Sequence, residues 1–190
     1  ADYNDMMTLT ETMIERLVKR VFETTSFTFG EHTLCFESPW PRKSMCSLVQ
    51  EKTGVDFLSI HSAAEARDAA FKLGVHTDKN APWGKIVEEV FAEKVESHLI
   101  QPIHVTELPL DISPLAKVHP KDARLTERFE SYANGWELCN GFSELNDPID
   151  QRERLVAQVE LGKRGDSEAM ALDEDFIRAL EYGMPPTAGL

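Results

Sequence analysis

Two glutamates, Glu130 and Glu137, flank Asn134-Gly135 within the stretch Arg128-Phe-Glu-Ser-Tyr-Ala-Asn-Gly-Trp-Glu-Leu-Cys-Asn-Gly-Phe-Ser-Glu-Leu-Asn-Asp147. Asn-Gly between two apolar-rich runs is the strongest short-range hairpin signal, because a type I′ turn needs positive φ at both positions. With those residues as the loop, Ala133 faces Trp136, Tyr132 faces Glu137 and Glu130 faces Cys139. Period-two alternation then gathers Glu130, Tyr132, Glu137 and Cys139 on one face. The two glutamates become diagonal neighbours, roughly 7–8 Å apart at Cα, with tips able to converge. Converging carboxylates repel unless a cation or strong donor stands between them. Hard oxygen ligands of this kind suit Mg²⁺, which keeps waters and completes its shell from substrate phosphates. The plain alternative is a solvated pair on an open sheet face. Phe129, Tyr132, Trp136 and Leu138 are too apolar for a fully wet hairpin and count against it.

Asn140, Phe142 and Glu144 share a parity opposite to that of Glu137. They join its face only if the strand twists or bulges near Asn140-Gly141, where glycine permits it. A buried Glu144 wants a cationic partner, and a substrate ammonium is one candidate. A capping or loop role near Asn146-Asp147-Pro148 is the other. Further patterns carry less. His32, His61, His76, His98, His104 and His119 are scattered without HExxH or Cys–His ligand spacing and read as structural or surface residues. Gly162-Lys163-Arg164-Gly165 lacks phosphate-loop spacing and reads as a helix-end turn. Lys117 reads as a surface lysine.

The elements that must position the hairpin follow from periodicity. Met6, Leu9, Met13, Leu17 and Val21 predict an amphipathic helix over Asn4 to Phe22, capped by Asn4 or Asp5. Phe27 to Phe36 alternates around Gly30 and predicts a hairpin. Short helices are expected over Ser44 to Glu51 and over Ala63 to Lys72, the second ending at Gly74. Trp83 to Leu99 carries the best helical stripe: Trp83, Ile86, Val87, Val90, Phe91 and Val95. An extended stretch over Gln101 to Leu110 and a Pro-rich turn over Ile112 to Lys117 follow. The hairpin occupies Arg124 to Leu145, and helices are expected over Asp150 to Leu161 and Asp173 to Tyr182, with Gly183 and Pro185-Pro186 as the stop. Helices and antiparallel strands mix without a βαβ rhythm, so the fold class is α+β.

The chain has 190 residues, 20 Lys+Arg and 33 Asp+Glu, a formal charge of −13, with 42% hydrophobic and 28% charged residues. That is globular composition in a chain long enough for a sizeable core. The acidic balance argues against this segment as the main docking surface for a phosphate backbone, and a local basic pocket or a separate nucleic-acid-binding domain is still allowed. Cys35, Cys46 and Cys139 are odd in number and lack CxxC spacing, which implies free thiols in a reducing compartment. No apolar run approaches the ~20 residues that span a bilayer, and no signal peptide is expected ahead of the first helix. Ala1 at one end and Pro-Pro-Thr-Ala-Gly-Leu190 at the other imply a fragment of a larger protein.

Trp-Glu-Leu-Cys-Asn-Gly-Phe-Ser-Glu-Leu-Asn-Asp (136–147) resembles the signature of the class II lysyl-tRNA synthetase catalytic domain. Ala-Asp-Tyr-Asn-Asp at the start, Ile-Gln-Pro (100–102), Ser-Pro-Leu-Ala-Lys (113–117) and Ala-Leu-Glu-Tyr-Gly-Met-Pro-Pro-Thr-Ala-Gly-Leu at the end extend the resemblance along nearly the whole chain. It implies an antiparallel sheet flanked by helices, in a cytoplasmic homodimer without membrane attachment. It implies that Glu130 and Glu137 bind Mg²⁺ bridging the ATP phosphates, that Asn140 contacts the lysine α-carboxylate, that Phe142 walls the amino-acid pocket, and that Glu144 reads the ε-ammonium. The activity implied is Mg²⁺- and ATP-dependent formation of lysyl-adenylate and transfer to tRNA(Lys). Trp136-Glu137-Leu138-Cys139 departs from the more usual Arg-Glu-Ile-Gly. On this resemblance, residues 1–190 are the central and C-terminal part of one catalytic domain, truncated at both ends. Motif 2 lies before Ala1, motif 3 lies after Leu190, and the anticodon-binding domain lies upstream. Without the arginines of motifs 2 and 3 the isolated segment is expected to be inactive, and without their strands, aggregation-prone. Two other readings share the pattern: a paralogue that passes lysine to a protein or lipid, and a non-catalytic module for dimerisation or regulation.

Overall fold

In a computed structural model, which describes residues 1–163 and 169–190, the chain runs α1 (Tyr3–Phe22), β1 (Ser26–Phe29), β2 (His32–Cys35), β3 (Arg42–Ser44), α2 (Met45–Thr53), α3 (Ala63–Lys72), α4 (Trp83–Lys94), β4 (Ile103–Thr106), β5 (Arg128–Ala133), β6 (Trp136–Ser143), α5 (Pro148–Lys163), α6 (Glu174–Glu181) and β7 (Ala188–Gly189). Five strands form one sheet in the order β3-β4-β5-β6-β7, and β1–β2 is a separate hairpin. The pairs β4–β5, β5–β6 and β6–β7 are antiparallel, whereas β3 joins β4 in parallel. The α+β class holds, with one parallel edge pair that periodicity did not anticipate. Strands of three and two residues, as β3 and β7 are, carry too few alternations to be read.

Helix boundaries follow local chemistry. Asp2, two residues before Asn4 and three before Asp5, caps α1, accepting from the Asn4 and Asp5 amides while the Asp5 carboxylate accepts from the Asp2 amide. Ser44 caps α2, Ser62 caps α3 and Asp173 caps α6. Every residue of the α4 stripe is buried. The helix nevertheless stops at Lys94 instead of Leu99, and Glu96–His98 continue as a 3₁₀ turn. That turn receives the Asn134-Gly135 loop, whose amides donate to the Ile100 and Leu99 carbonyls. Of the Gly162-Lys163-Arg164-Gly165 turn, Arg164 and Gly165 lie outside the described residues. No described helix is long and apolar enough to cross a membrane.

The sheet has two differently covered faces. On one, Ile103, Val105 and Tyr132 pack with α2, α3 and α4 around Phe57, Trp83 and Phe91. This layer covers the β3–β4 half and leaves β5–β6 open beside α4. On the other face, α1 and the β1–β2 hairpin close over Val18, Leu34, Phe36, Trp40 and Ala133.

The inward face of α1 is not the apolar stripe that periodicity selects. Met7, Thr10, Glu11 and Val18 are buried, while Leu9, Met13, Leu17 and Val21 are exposed. The reason is a polar network beneath the helix. Glu11 accepts from the Trp40 amide at 2.9 Å, meets His104 Nε2 at 3.3 Å and stands 3.6 Å from the Arg42 guanidinium. His104 Nδ1 bonds Ser131 Oγ at 2.8 Å, and the Trp40 ring stacks on the imidazole. Buried polar groups must be paired, so the helix turns Glu11 inward and leaves the stripe uncovered among the described residues.

Burial outweighs the neighbouring Glu11 and, helped by Arg42, lowers His104 from 6.5 to about 4. The unfolded chain takes up this proton near 6.5 and the folded chain only near 4, so between them the unfolded state holds more protons and stability falls with falling pH. The urea midpoint is expected to drop through that window, and His104→Gln to flatten the drop. An unchanged slope in the variant would assign the loss to other groups.

Candidate active site

Asn134 and Gly135 adopt φ of 56° and 71°, the positive pair that a type I′ turn demands. Beside the turn the expected register holds: Ala133 pairs with Trp136 and Tyr132 with Glu137. Beyond it the register shifts. Ser131 pairs with Cys139 and Glu130 with Asn140, which leaves Leu138 as the extra residue of a β-bulge. The expected pairing of Glu130 with Cys139 is thereby corrected, and Cys139 moves to the α1 face. There its sulfur lies 3.2 Å from Ser131 Oγ and 3.7 Å from Thr10 Oγ1.

The bulge falls two residues before the anticipated Asn140-Gly141, for a steric reason. Gly141 pairs with Phe129 on the α1 face. A Cβ on Gly141 would lie 2.7 Å from the Gly189 carbonyl and 2.8 Å from the Phe129 ring. Parity is therefore pinned at Gly141 as well as at the turn, and Leu138, 40% exposed, absorbs the mismatch. One inserted residue brings Asn140 and Phe142 onto the face of Arg128, Glu130, Tyr132 and Glu137. Alternation beyond β6 keeps Glu144 in the same phase.

Glu130 is held at both oxygens, by Arg128 Nη2 and by the Tyr132 hydroxyl, each at 2.7 Å. Sequence reading passed over Arg128. Its position two residues before Glu130 on the same strand face is the signal that could have found it. A cavity of about 310 Å³ opens between this strand pair and α4, bordered by Glu88, Glu89, Glu96, Glu130 and Glu137. Glu137 counts among the exposed residues, yet partial withdrawal from water raises its carboxyl, Glu130 and Glu96 add to the shift, and Arg128 opposes it. Burial, then Glu130, raises Glu96 as well. Protons are retained here chiefly because burial disfavours the charged form, with crowding by neighbouring carboxylates adding to it, and a cation would relieve both.

Burial also raises the Glu144 carboxyl, and its Oε1 lies 3.4 Å from the Cβ position of Gly189. No hydrogen-bond or ion-pair partner meets this carboxylate among the described residues. The capping alternative falls to its neighbour: Asp147 accepts from the Ile149 and Asp150 amides at the start of α5. Of the three departures from the family signature, Trp136 and Cys139 lie away from this face. Trp136 packs edge-on against Phe29 of the β1–β2 hairpin, and Cys139 faces α1.

Among the described residues no three His, Cys, Asp or Glu side chains form a metal centre by themselves. A two-carboxylate site fits an ion that takes most of its shell from water and phosphate, as Mg²⁺ does. Each Glu130 oxygen accepts one hydrogen bond and keeps lone-pair capacity for a metal.

A largely antiparallel sheet with helices carries paired acids and an Asn-x-Phe-x-Glu run on its open face. The model for tRNA synthetases class II (D, K and N) covers residues 1–190, and the chain belongs to that family. Similar proteins include the lysine–tRNA ligase of Sinorhizobium medicae (strain WSM419), 52% identical over 190 residues, and that of Rhizobium meliloti (strain 1021), 50% identical over 190 residues. The lysine–tRNA ligase of Porphyromonas gingivalis (strain ATCC 33277) is 49% identical over 189 residues. Each comparison covers 100% of this chain but only 38%, 38% and 32% of those proteins.

Gly141→Ala tests the steric pin. Its Cβ would push β7 off β6 and shift Asn140 and Phe142, an overpacking loss of ~1–3 kcal/mol. Chemical denaturation is expected to show the lowered midpoint, and a wild-type midpoint would remove Gly141 as the cause of the bulge.

Proposed function

We propose that the full-length protein containing this chain is a lysine–tRNA ligase that activates lysine with ATP and transfers it to tRNA(Lys). The observation that carries the reading is the Leu138 bulge, which gathers Glu130, Glu137, Asn140 and Phe142 on one face with the unpartnered Glu144 in phase beyond them. The names of the similar proteins support tRNA as acceptor over a protein or lipid. Residues 1–190 act as part of one catalytic domain in a cytoplasmic homodimer, with the anticodon read by a domain outside this segment.

In the reaction, the lysine carboxylate attacks the α-phosphate of ATP in line and pyrophosphate leaves, giving lysyl-adenylate. A terminal ribose hydroxyl of tRNA(Lys) then attacks the carbonyl and AMP leaves. No covalent enzyme intermediate is formed, so the protein contributes position and charge compensation. Glu130 and Glu137 would hold Mg²⁺, which would supply charge neutralisation at the phosphates. Asn140 donates to the lysine carboxylate. Phe142 packs along the aliphatic stem, where apolar contact favours the methylene chain. Glu144, already partly withdrawn from water, gains a cationic partner when the ε-ammonium docks, and that pairing selects lysine over neutral side chains of similar length.

ATP–pyrophosphate exchange on the full-length protein, run with each amino acid in turn, tests this. Exchange is expected with lysine alone. Glu144→Gln is expected to raise the lysine KM on the order of 10- to 100-fold, the loss of a charged hydrogen bond, with the ATP KM little changed. Glu137→Gln is expected to lower kcat and to demand more Mg²⁺. Equal and small effects from both variants would sink the role assignment, and a folded protein without exchange would sink the activity.

A further inference from the structure

The guanidinium of Arg128 has four acceptors. Nη2 donates to Glu130 Oε1 at 2.7 Å, and Nε donates to Asn140 Oδ1 at 3.2 Å. Nη1 donates to the Ile112 carbonyl at 2.6 Å and to Ser113 Oγ at 3.1 Å. The side chain is 16% exposed, so these bonds are largely shielded from water. One planar group thus links the acid of the cation pair, the amide of the amino-acid pocket and the Pro-rich segment between β4 and β5. Arginine has five N–H donors and no acceptor. An Asn amide facing Nε–H must therefore present its oxygen to it, and its NH₂ is left as a donor. An outward-facing NH₂ is what recognition of an anionic carboxylate requires, and an outward-facing oxygen would repel one.

We propose that Arg128 is the positioning residue that couples the two halves of this site: through Nη2 it fixes the Glu130 carboxylate, and through Nε it turns the Asn140 amide so that NH₂ faces the substrate carboxylate. The inference rests on the functional reading above and adds a residue that acts through Glu130 and Asn140. Ile112 and Ser113 anchor the guanidinium from a second segment, so its orientation does not depend on the residues it orients. Tyr132 holds the second Glu130 oxygen, which leaves Arg128 as the one described group that bonds both Glu130 and Asn140.

Two substitutions in the full-length enzyme separate the two bonds. In Arg128→Lys a methylene replaces Nε and the ammonium reaches the region of the guanidinium carbon, so the charge beside Glu130 persists and the donor to Asn140 is lost. In Arg128→Gln the terminal amide occupies the place of Nε, so a donor to Asn140 persists and the charge is lost. ATP–pyrophosphate exchange is read for lysine KM and for the Mg²⁺ concentration at half-maximal rate. Arg128→Lys is expected to raise the lysine KM roughly 10-fold, the worth of one charge-assisted hydrogen bond, with the Mg²⁺ dependence nearly unchanged. Arg128→Gln is expected to do the reverse. The effect of Arg128→Lys on lysine KM is also expected to vanish in an Asn140→Ala background, because the residue it acts through is gone.

Additive effects in that double variant, or both parameters moving together in both single variants, would reduce Arg128 to a structural residue and overturn the inference. Should one variant fail to fold, judged by its thermal transition, the other still decides through its own KM against Mg²⁺ split. Absence of lysine-dependent exchange in the unsubstituted enzyme would overturn the functional reading itself, a failure distinct from unsplit parameters in an active one.

Discussion

The bulge at Leu138 is the constraint on which the site depends, because it reconciles two demands that a regular hairpin cannot meet together. At one end the Asn134-Gly135 turn fixes which residues oppose each other and sets Glu137 across from Tyr132. At the other, Gly141 must face the Phe129 ring and the β7 backbone, where no side chain fits. An even alternation between these points would place Asn140 and Phe142 on the α1 face. One residue without a partner inverts the phase, and its apolar side chain is left partly in water. Exposure of one leucine is a small loss against the alternative of burying an amide under α1 without a partner.

The two faces of the sheet divide the work. Beneath α1, Glu11, His104, Ser131 and the Trp40 amide form a closed hydrogen-bonded set that fixes the helix against β4, β5 and β6. On the opposite face, α2, α3 and α4 press on Ile103, Val105 and Tyr132 and stop short of β6. The open strip beside α4 is consequently floored by rigid strands, with carboxylates along its rim. Tyr132 belongs to both systems: its ring packs edge-on against Phe91, and its hydroxyl holds Glu130. The position of the acid is thus tied to the main apolar core.

Burial and mutual repulsion together set the electrostatics within the strip. Glu96 and Glu137 are raised by burial and by Glu130, and Glu144 by burial alone. Arg128 is the positive group that reaches both Glu130 and Asn140. Its guanidinium thus stands among carboxylates that burial pushes towards retaining their protons.

Much of this was legible in the residues. The turn, the α4 stripe, the helix starts near Ser44 and Asp173 and the helix stop at Gly183 rest on local chemistry, which neighbours in sequence decide. The paired glutamates and the need for a bulge followed from counting by twos, because side-chain phase along a strand is a local property. Other features were decided only when distant segments met. The site of the bulge depends on Phe129 and Gly189 closing around Gly141, and the grip of Arg128 on Glu130 and Asn140 depends on the pairing of β5 with β6. The inward face of α1 is the clearest case. Periodicity offered Leu9, Met13, Leu17 and Val21, but the Trp40 amide, Arg42 and His104 meet Glu11 beneath the helix, and a buried carboxylate must be paired.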